Sequence, residues 1–148
     1  MEVATEQELR QLAAKFGSVL LPGDIVLLSG ELGAGKTTFV RGYLESLGVT
    51  DPVRSPTFNL VQVFDTLPPV MHTDLYRVSS YRGVGLEDYL DSHVCFVEWP
   101  DRAVGLTDFA ECWQISILFS SCGRTVEITP PTGREIRLTD RQSGTARP

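Results

Sequence analysis

The 148-residue sequence predicts a single α/β domain, a P-loop NTPase-like core with a mixed, mostly parallel sheet flanked by helices. Three observations predict it. The apolar run "DIVLLS" (Asp24–Ser29) leads through a glycine-rich turn into a helix-like run, Thr37–Leu47. A second apolar run, "VCFVEW" (Val94–Trp99), is continuous, as in strands buried on both faces. The remaining β-like segments alternate in polarity and are rich in β-branched and aromatic residues.

Taken in order, Thr5 and Glu8 in "TEQE" have capping-box spacing, and Leu9, Leu12, Ala13 and Phe16 follow at helical intervals, predicting a helix over Glu6–Gly17. "LLPGD" turns the chain into the first buried strand. In the helix after the glycine turn, Phe39, Tyr43 and Leu47 share one face. "SPTFNLVQVFD" and "VMHTDLYRV" read as strands separated by the turn-like "DTLPP". Arg82–Ser92 predicts a short helix, and Pro100 ends the strand at Val94–Trp99. "CWQISILFSS" and "RTVEITP" predict a hairpin turning at Cys122-Gly123. No repeat or long linker divides the chain, so one domain is expected over residues 1–138. The polar tail 139–148 is expected to be disordered.

Hydrophobic residues make up 42% and charged residues 22%, ordinary values for a soluble globular protein. A net charge of -6 argues against broad electrostatic attraction to nucleic acid or anionic membranes. Cys95, Cys112 and Cys122 contain no C-x-x-C pair, and their odd number suits a reducing compartment. The N-terminus has neither a basic start nor an apolar core of a signal peptide, and no apolar run approaches the ~20 residues of a membrane span. A cytoplasmic protein is expected.

Gly30-x-x-x-x-Gly35-Lys36-Thr37 matches the phosphate-binding loop at every fixed position, in the required strand–turn–helix context. With glycine near 7% of residues, the four fixed positions coincide by chance in under roughly 1% of chains this long, so the motif is not an accident of composition. Its glycines let backbone N–H groups turn inward around phosphate oxygens. The helix N-terminus adds partial positive charge, Lys36 reaches the outer phosphates, and the Thr37 hydroxyl suits a Mg²⁺ shell.

The loop fixes a ligand and not a function. An Asn-Lys-x-Asp guanine reader is excluded, because the only other lysine, Lys15, lies in the first helix. "LLSGELG" is part of the loop and not a transporter signature. Glu98, ending a buried strand, stands where a Walker B acid is expected; an ion pair with an arginine is the structural alternative. Asp74 in "HTDLYR" is a second acid for Mg²⁺, against a solvated strand edge. Ser55 and Thr57 in "SPTF" offer hydroxyls to the γ-phosphate, as a switch segment does, or simply form a turn. His72 reads first as a satisfied structural histidine and second as a general base; His93 has no supporting context. Trp99 either covers the site or packs.

In this order and spacing, "GELGAGKTTFVRG", "SPTF", "HTDLYR" and "VEWPDR" resemble the TsaE family of bacterial P-loop proteins, over about Thr5 to Arg124. The resemblance implies a slow, Mg²⁺-dependent ATPase serving TsaB and TsaD. That system places threonylcarbamoyl on the adenosine next to the anticodon of tRNAs reading codons that begin with A. The family member is not itself the transferase, and tRNA is met only indirectly, through the complex. Carried over, Gly33, Ala34, Gly35, Lys36, Thr37 and Thr38 hold phosphates, as does Gly30 at the start of the loop. Thr37 and Asp74 lie near Mg²⁺, Glu98 is the Walker B acid, reaching Mg²⁺ through water or polarising the attacking water, and Ser55 and Thr57 form the switch. Arg124, after Gly123, corresponds to a Gly-Arg near the nucleotide. The first helix departs from the family's Ser-x-x-x-Thr run, having Thr5 and Leu9, and Asn59 replaces a frequent threonine. Two other classes stay open: a small-molecule kinase using Asp74 as base, and a nucleotide-gated binding module without useful turnover.

Overall fold

A computed structural model describes residues 1–50 and 60–135. Its elements are β1 (Glu2–Val3), α1 (Glu6–Gly17), β2 (Ile25–Ser29), α2 (Lys36–Ser46), β3 (Val61–Phe64), β4 (Val70–Asp74), β5 (Val94–Glu98), β6 (Trp113–Ser120) and β7 (Gly123–Thr129). The strands form one sheet in the order β1-β7-β6-β2-β5-β4-β3. The four central strands, β6, β2, β5 and β4, are mutually parallel. β3, β7 and β1 add on antiparallel at the two margins. The sheet is therefore mixed and mostly parallel, as the sequence predicts.

Position in the sheet explains the sequence patterns. β5 lies between β2 and β4, and all five of its residues are buried, which is why "VCFVE" is unbroken. β6 keeps an alternating stretch, Trp113, Ile115 and Ile117 buried on one face. α1 begins where its capping box places it: Thr5 Oγ1 accepts the Glu8 amide at 3.1 Å, and Glu8 accepts the Ala4 and Thr5 amides at 2.6 and 3.2 Å.

Both α-helices cover the same face. Leu9, Ala13 and Phe16 of α1 and Phe39, Val40, Tyr43 and Leu44 of α2 bury there with Val26, Leu28, Phe96, Trp113 and Ile115. Phe16 meets Trp113 edge-on, ring centroids 5.0 Å apart, a contact worth about 0.5–1.5 kcal/mol beyond area burial. The helices approach closely at Gly42, where a Cβ would stand 2.5 Å from the Arg10 backbone. On the opposite face, Ile25, Leu27, Met71, Cys95 and Val97 are covered by the chain after β4 and after β5. That cover holds 3₁₀ turns at Leu86–Tyr89, Pro100–Ala103 and Phe109–Glu111.

Two sequence expectations need correction. Arg82–Ser92 is not a helix beyond the four-residue turn at Leu86–Tyr89, because Gly85 takes a left-handed conformation (φ 90°) immediately before it. β1 was not foreseen, being two residues long and given meaning only by its pairing with Arg124 and Thr125. The predicted β7 does form the hairpin with β6. The "SPTF" segment and the tail 139–148 lie outside the described residues.

Candidate functional site

The glycine turn joins β2 to α2 at the carboxyl end of the parallel strands, where ligands bind in open α/β sheets. Gly35 is the N-cap of α2 with φ 121°, a conformation that favours glycine, and a Cβ there would lie 2.6 Å from Leu9 Cδ2 and push that side chain aside. α2 has no side-chain cap and no acidic residue in its first turn. Its partial positive charge is thus not offset by a carboxylate of its own.

Lys36 is only 5% exposed. Its ammonium donates to the carbonyls of Gly30 and Glu31, the latter at 3.1 Å, and lies 4.3 Å from the centroid of the Trp99 ring. Burial lowers its pKa below the ordinary 10.5, partly offset by attraction to Glu98 and Asp74. Neutral carbonyls hold this cation by weaker bonds than ionised phosphate would form.

The parallel register of β4 on β5 sets Asp74 beside Glu98. Glu98 is 2% exposed, and its Oε2 accepts from the Thr37 hydroxyl at 2.9 Å and lies 2.6 Å from His72 Nε2. Among the described residues it pairs with no arginine; its buried partner is His72. Asp74 is half-buried and accepts the Tyr76 amide at 3.0 Å. Gly33, Gly35, Lys36, Thr37, Asp74 and Glu98 line one cavity of about 190 Å³. Among the described residues no three His, Cys, Asp or Glu form a metal cage. Mg²⁺ needs none, since it keeps several waters and takes one or two protein carboxylates plus phosphates. A hydroxyl and two acids on one small cavity fit that demand.

Arg124 is also brought in. Its guanidinium donates to the Ala34 carbonyl at 2.8 Å and the Gly33 carbonyl at 3.4 Å, so it braces the back of the loop from β7. With Thr5, Leu9, Gly33, Ala34, Gly35 and Thr38 it borders a second cavity, of about 310 Å³. Thr38 borders both. Trp99 covers and packs at once: it walls the smaller cavity, meets Tyr76 at a 45° tilt with ring centroids 4.8 Å apart, and lines an apolar space of about 470 Å³ beyond. Gly30 lies in the wall of that space.

Ser55 and Thr57 fall outside the described residues. His93 sits at the opposite end of β5, bonded to Ser92 at 2.7 Å and remote from Glu98. His72 is the residue that the sequence reading undervalued. It is fully buried and bonded to Glu98, while its Nδ1 has no partner among the described residues, so it is not the satisfied histidine first expected. The signal was the alternation of "VMHTD", which puts His72 and Asp74 on one face of the strand.

The family model described as "Threonylcarbamoyl adenosine biosynthesis protein TsaE" matches residues 3–126. A relative from Bacillus subtilis, named tRNA threonylcarbamoyladenosine biosynthesis protein TsaE, is 41% identical over 63% of this chain and 61% of its own length. The match thus spans less than two thirds of that relative. Relatives of the same name from Borreliella burgdorferi and Haemophilus influenzae are 33% and 30% identical, over 86% and 88% of this chain and 97% and 88% of theirs. The crystal structure of Bacillus subtilis YdiB superposes with a TM-score of 0.80 at 31% identity, covering 97% of this chain and 93% of that one.

Proposed function

The chain belongs to the TsaE family, and on that premise we propose that it binds ATP with Mg²⁺ at the loop, hydrolyses it slowly, and acts as an accessory to TsaB and TsaD. The product it serves is the threonylcarbamoyl-modified adenosine next to the anticodon of tRNAs reading A-starting codons. The observation that carries this reading is the meeting of Lys36, Thr37, Asp74 and Glu98 on one cavity at the start of α2. Turn amides and the helix N-terminus bind phosphate oxygens, and Lys36 supplies the cation. Thr37 and Asp74 hold Mg²⁺, which when bound neutralises charge on the phosphates. Glu98, in a dry position beside them, orients and polarises the attacking water. The net charge of -6 supports contact with tRNA through the complex and not directly. Its place of action in this reading is the cytoplasm; no described helix is long and apolar enough to cross a membrane.

The test is threonylcarbamoyl transfer to tRNA by TsaB and TsaD over many turnovers, with and without this protein. Wild type should sustain turnover, and Lys36→Ala and Glu98→Ala should not, each losing roughly 100-fold or more in rate. Turnover sustained by Glu98→Ala would mean that ATP binding alone suffices. No effect of wild type would turn attention to the kinase alternative, in which ATP is consumed only with an acceptor present.

A further inference from the structure

We propose that His72 is a positioning residue for hydrolysis, fixing the Glu98 carboxylate and keeping it away from Lys36. This rests on the ATPase reading above. β4 reaches the site through two side chains, Asp74 at its end and His72 two residues earlier on the same face. His72 Nε2 lies 2.6 Å from Glu98 Oε2 in a fully buried contact. A carboxylate only accepts, so the proton in this bond sits on Nε2. Nδ1 is buried without a partner among the described residues, and a proton there would be an unmatched donor. Nε2 is therefore the ring atom aimed at Glu98.

Thr37 donates to the same Oε2 at 2.9 Å, from α2 on the other side. Two donors on two elements thus fix the rotation of the carboxylate, and Oε1 is engaged by neither. Glu98 and Lys36 line the same small cavity, and Glu98 is one of the two acids whose attraction offsets the burial of the ammonium. Without a donor from β4, Glu98 can turn to that ammonium. Such a pair would withdraw the general base from water and, more weakly, compete for the lysine. His72 accordingly acts on the chemical step more than on nucleotide affinity.

Full-length wild type, His72→Leu, His72→Asn and His72→Gln are compared for ATP hydrolysis with TsaB and TsaD, for ATP affinity by calorimetry, and for cooperative melting. A glutamine amide nitrogen reaches the height of Nε2, and an asparagine amide stops at that of Nδ1. Leu and Asn should lower kcat at least about tenfold with Kd within about threefold, and Gln should restore most of kcat. His72→Leu hydrolysing like wild type, or folded His72→Gln failing as badly as Leu, would overturn the proposal. Should wild type itself not hydrolyse ATP, the ATPase reading falls separately. ¹⁵N imidazole spectra of the metal-free protein then decide on His72, one of only two histidines. A proton on Nε2 whose resonances move in Glu98→Ala supports the clamp; an Nε2 without a proton, or no movement, refutes it.

Discussion

The two α-helices pack on each other and cover the same face of the sheet, yet their N-termini are finished in opposite ways. α1 is closed by its own chain: Thr5 and Glu8 exchange hydrogen bonds with the first-turn backbone, and Glu6 and Glu8 place negative charge at the positive end of the helix dipole. α2 starts at a glycine, with no side-chain cap, no acid in its first turn, and a lysine as its first residue. The physical need is the same at both ends, since the first N–H groups of any helix lack intrahelical acceptors. One helix meets that need from within, and the other leaves it open, at the place where we propose that phosphate binds. The two ends differ more sharply than amphipathicity shows, because both helices bury an apolar face.

The strongest way to break the comparison is to finish α2 as α1 is finished. Thr38 occupies the third helical position, which Glu8 holds in α1, and it borders both cavities of the loop. Thr38→Glu should weaken ATP binding about 100-fold, roughly 2.7 kcal/mol, by setting a carboxylate against the phosphates. Its melting temperature should hold or rise, because an acid at a helix N-terminus is favourable. Calorimetry and a thermal melt read the two effects. ATP affinity within threefold of wild type would show that the phosphates do not sit at this helix end.

The opposite alteration is smaller and falls on stability. Glu8→Ala removes the acceptor of the Ala4 and Thr5 amides. Loss of such a cap costs about 0.5–2 kcal/mol, and ATP affinity should stay unchanged. Denaturant unfolding measures the first and calorimetry the second. A loss of affinity with intact stability would instead tie the first helix to the nucleotide through Thr5 and Leu9, which border the larger cavity.

Both helix ends were legible in the sequence, because each rests on local chemistry: "TEQE" reads as a cap and "GELGAGKT" as a loop without reference to the rest of the chain. The buried strand ending in Glu98 was legible for a similar reason, since a both-face-buried strand is apolar throughout. What the acids and His72 do with one another was not legible. It depends on a register between β4 and β5 that joins residues 26 positions apart in the chain. The turn at Leu86–Tyr89 was misread as a longer helix because "GLEDYLDS" has helix-forming residues, whereas the covering of Met71 and Cys95 selects an irregular chain. β1 had no sequence signature, for two residues cannot show a period.

The finest test of an open helix end is alkaline pH, where its cation is the group at risk. Burial lowers the pKa of Lys36 from 10.5, so its charge is lost earlier than that of an exposed lysine. ATP gains no charge in this range, phosphate titrating near pH 6. Affinity should therefore decline several-fold as pH climbs toward 10.5, and in Lys36→Met the decline should vanish. Stability carries the opposite sign for this one residue. Below 10.5 the unfolded chain holds the lysine proton more firmly, so the lysine's contribution improves as pH rises. Cys95, Cys112 and Tyr43 act against it, for burial pushes their pKa values up to about 12, 11 and 12 from 9.0, 9.0 and 10.0. Their stabilisation is complete below pH 9 and is lost as pH rises through these values. Three groups outweigh one, so the melting temperature should fall above pH 9, and fall slightly faster in Lys36→Met. An affinity that stays flat would mean that the ammonium of α2 is better hydrated than its 5% exposure implies, whereas a melting temperature that rises from pH 9 to 10.5 would mean that the buried lysine outweighs the two thiols and the phenol.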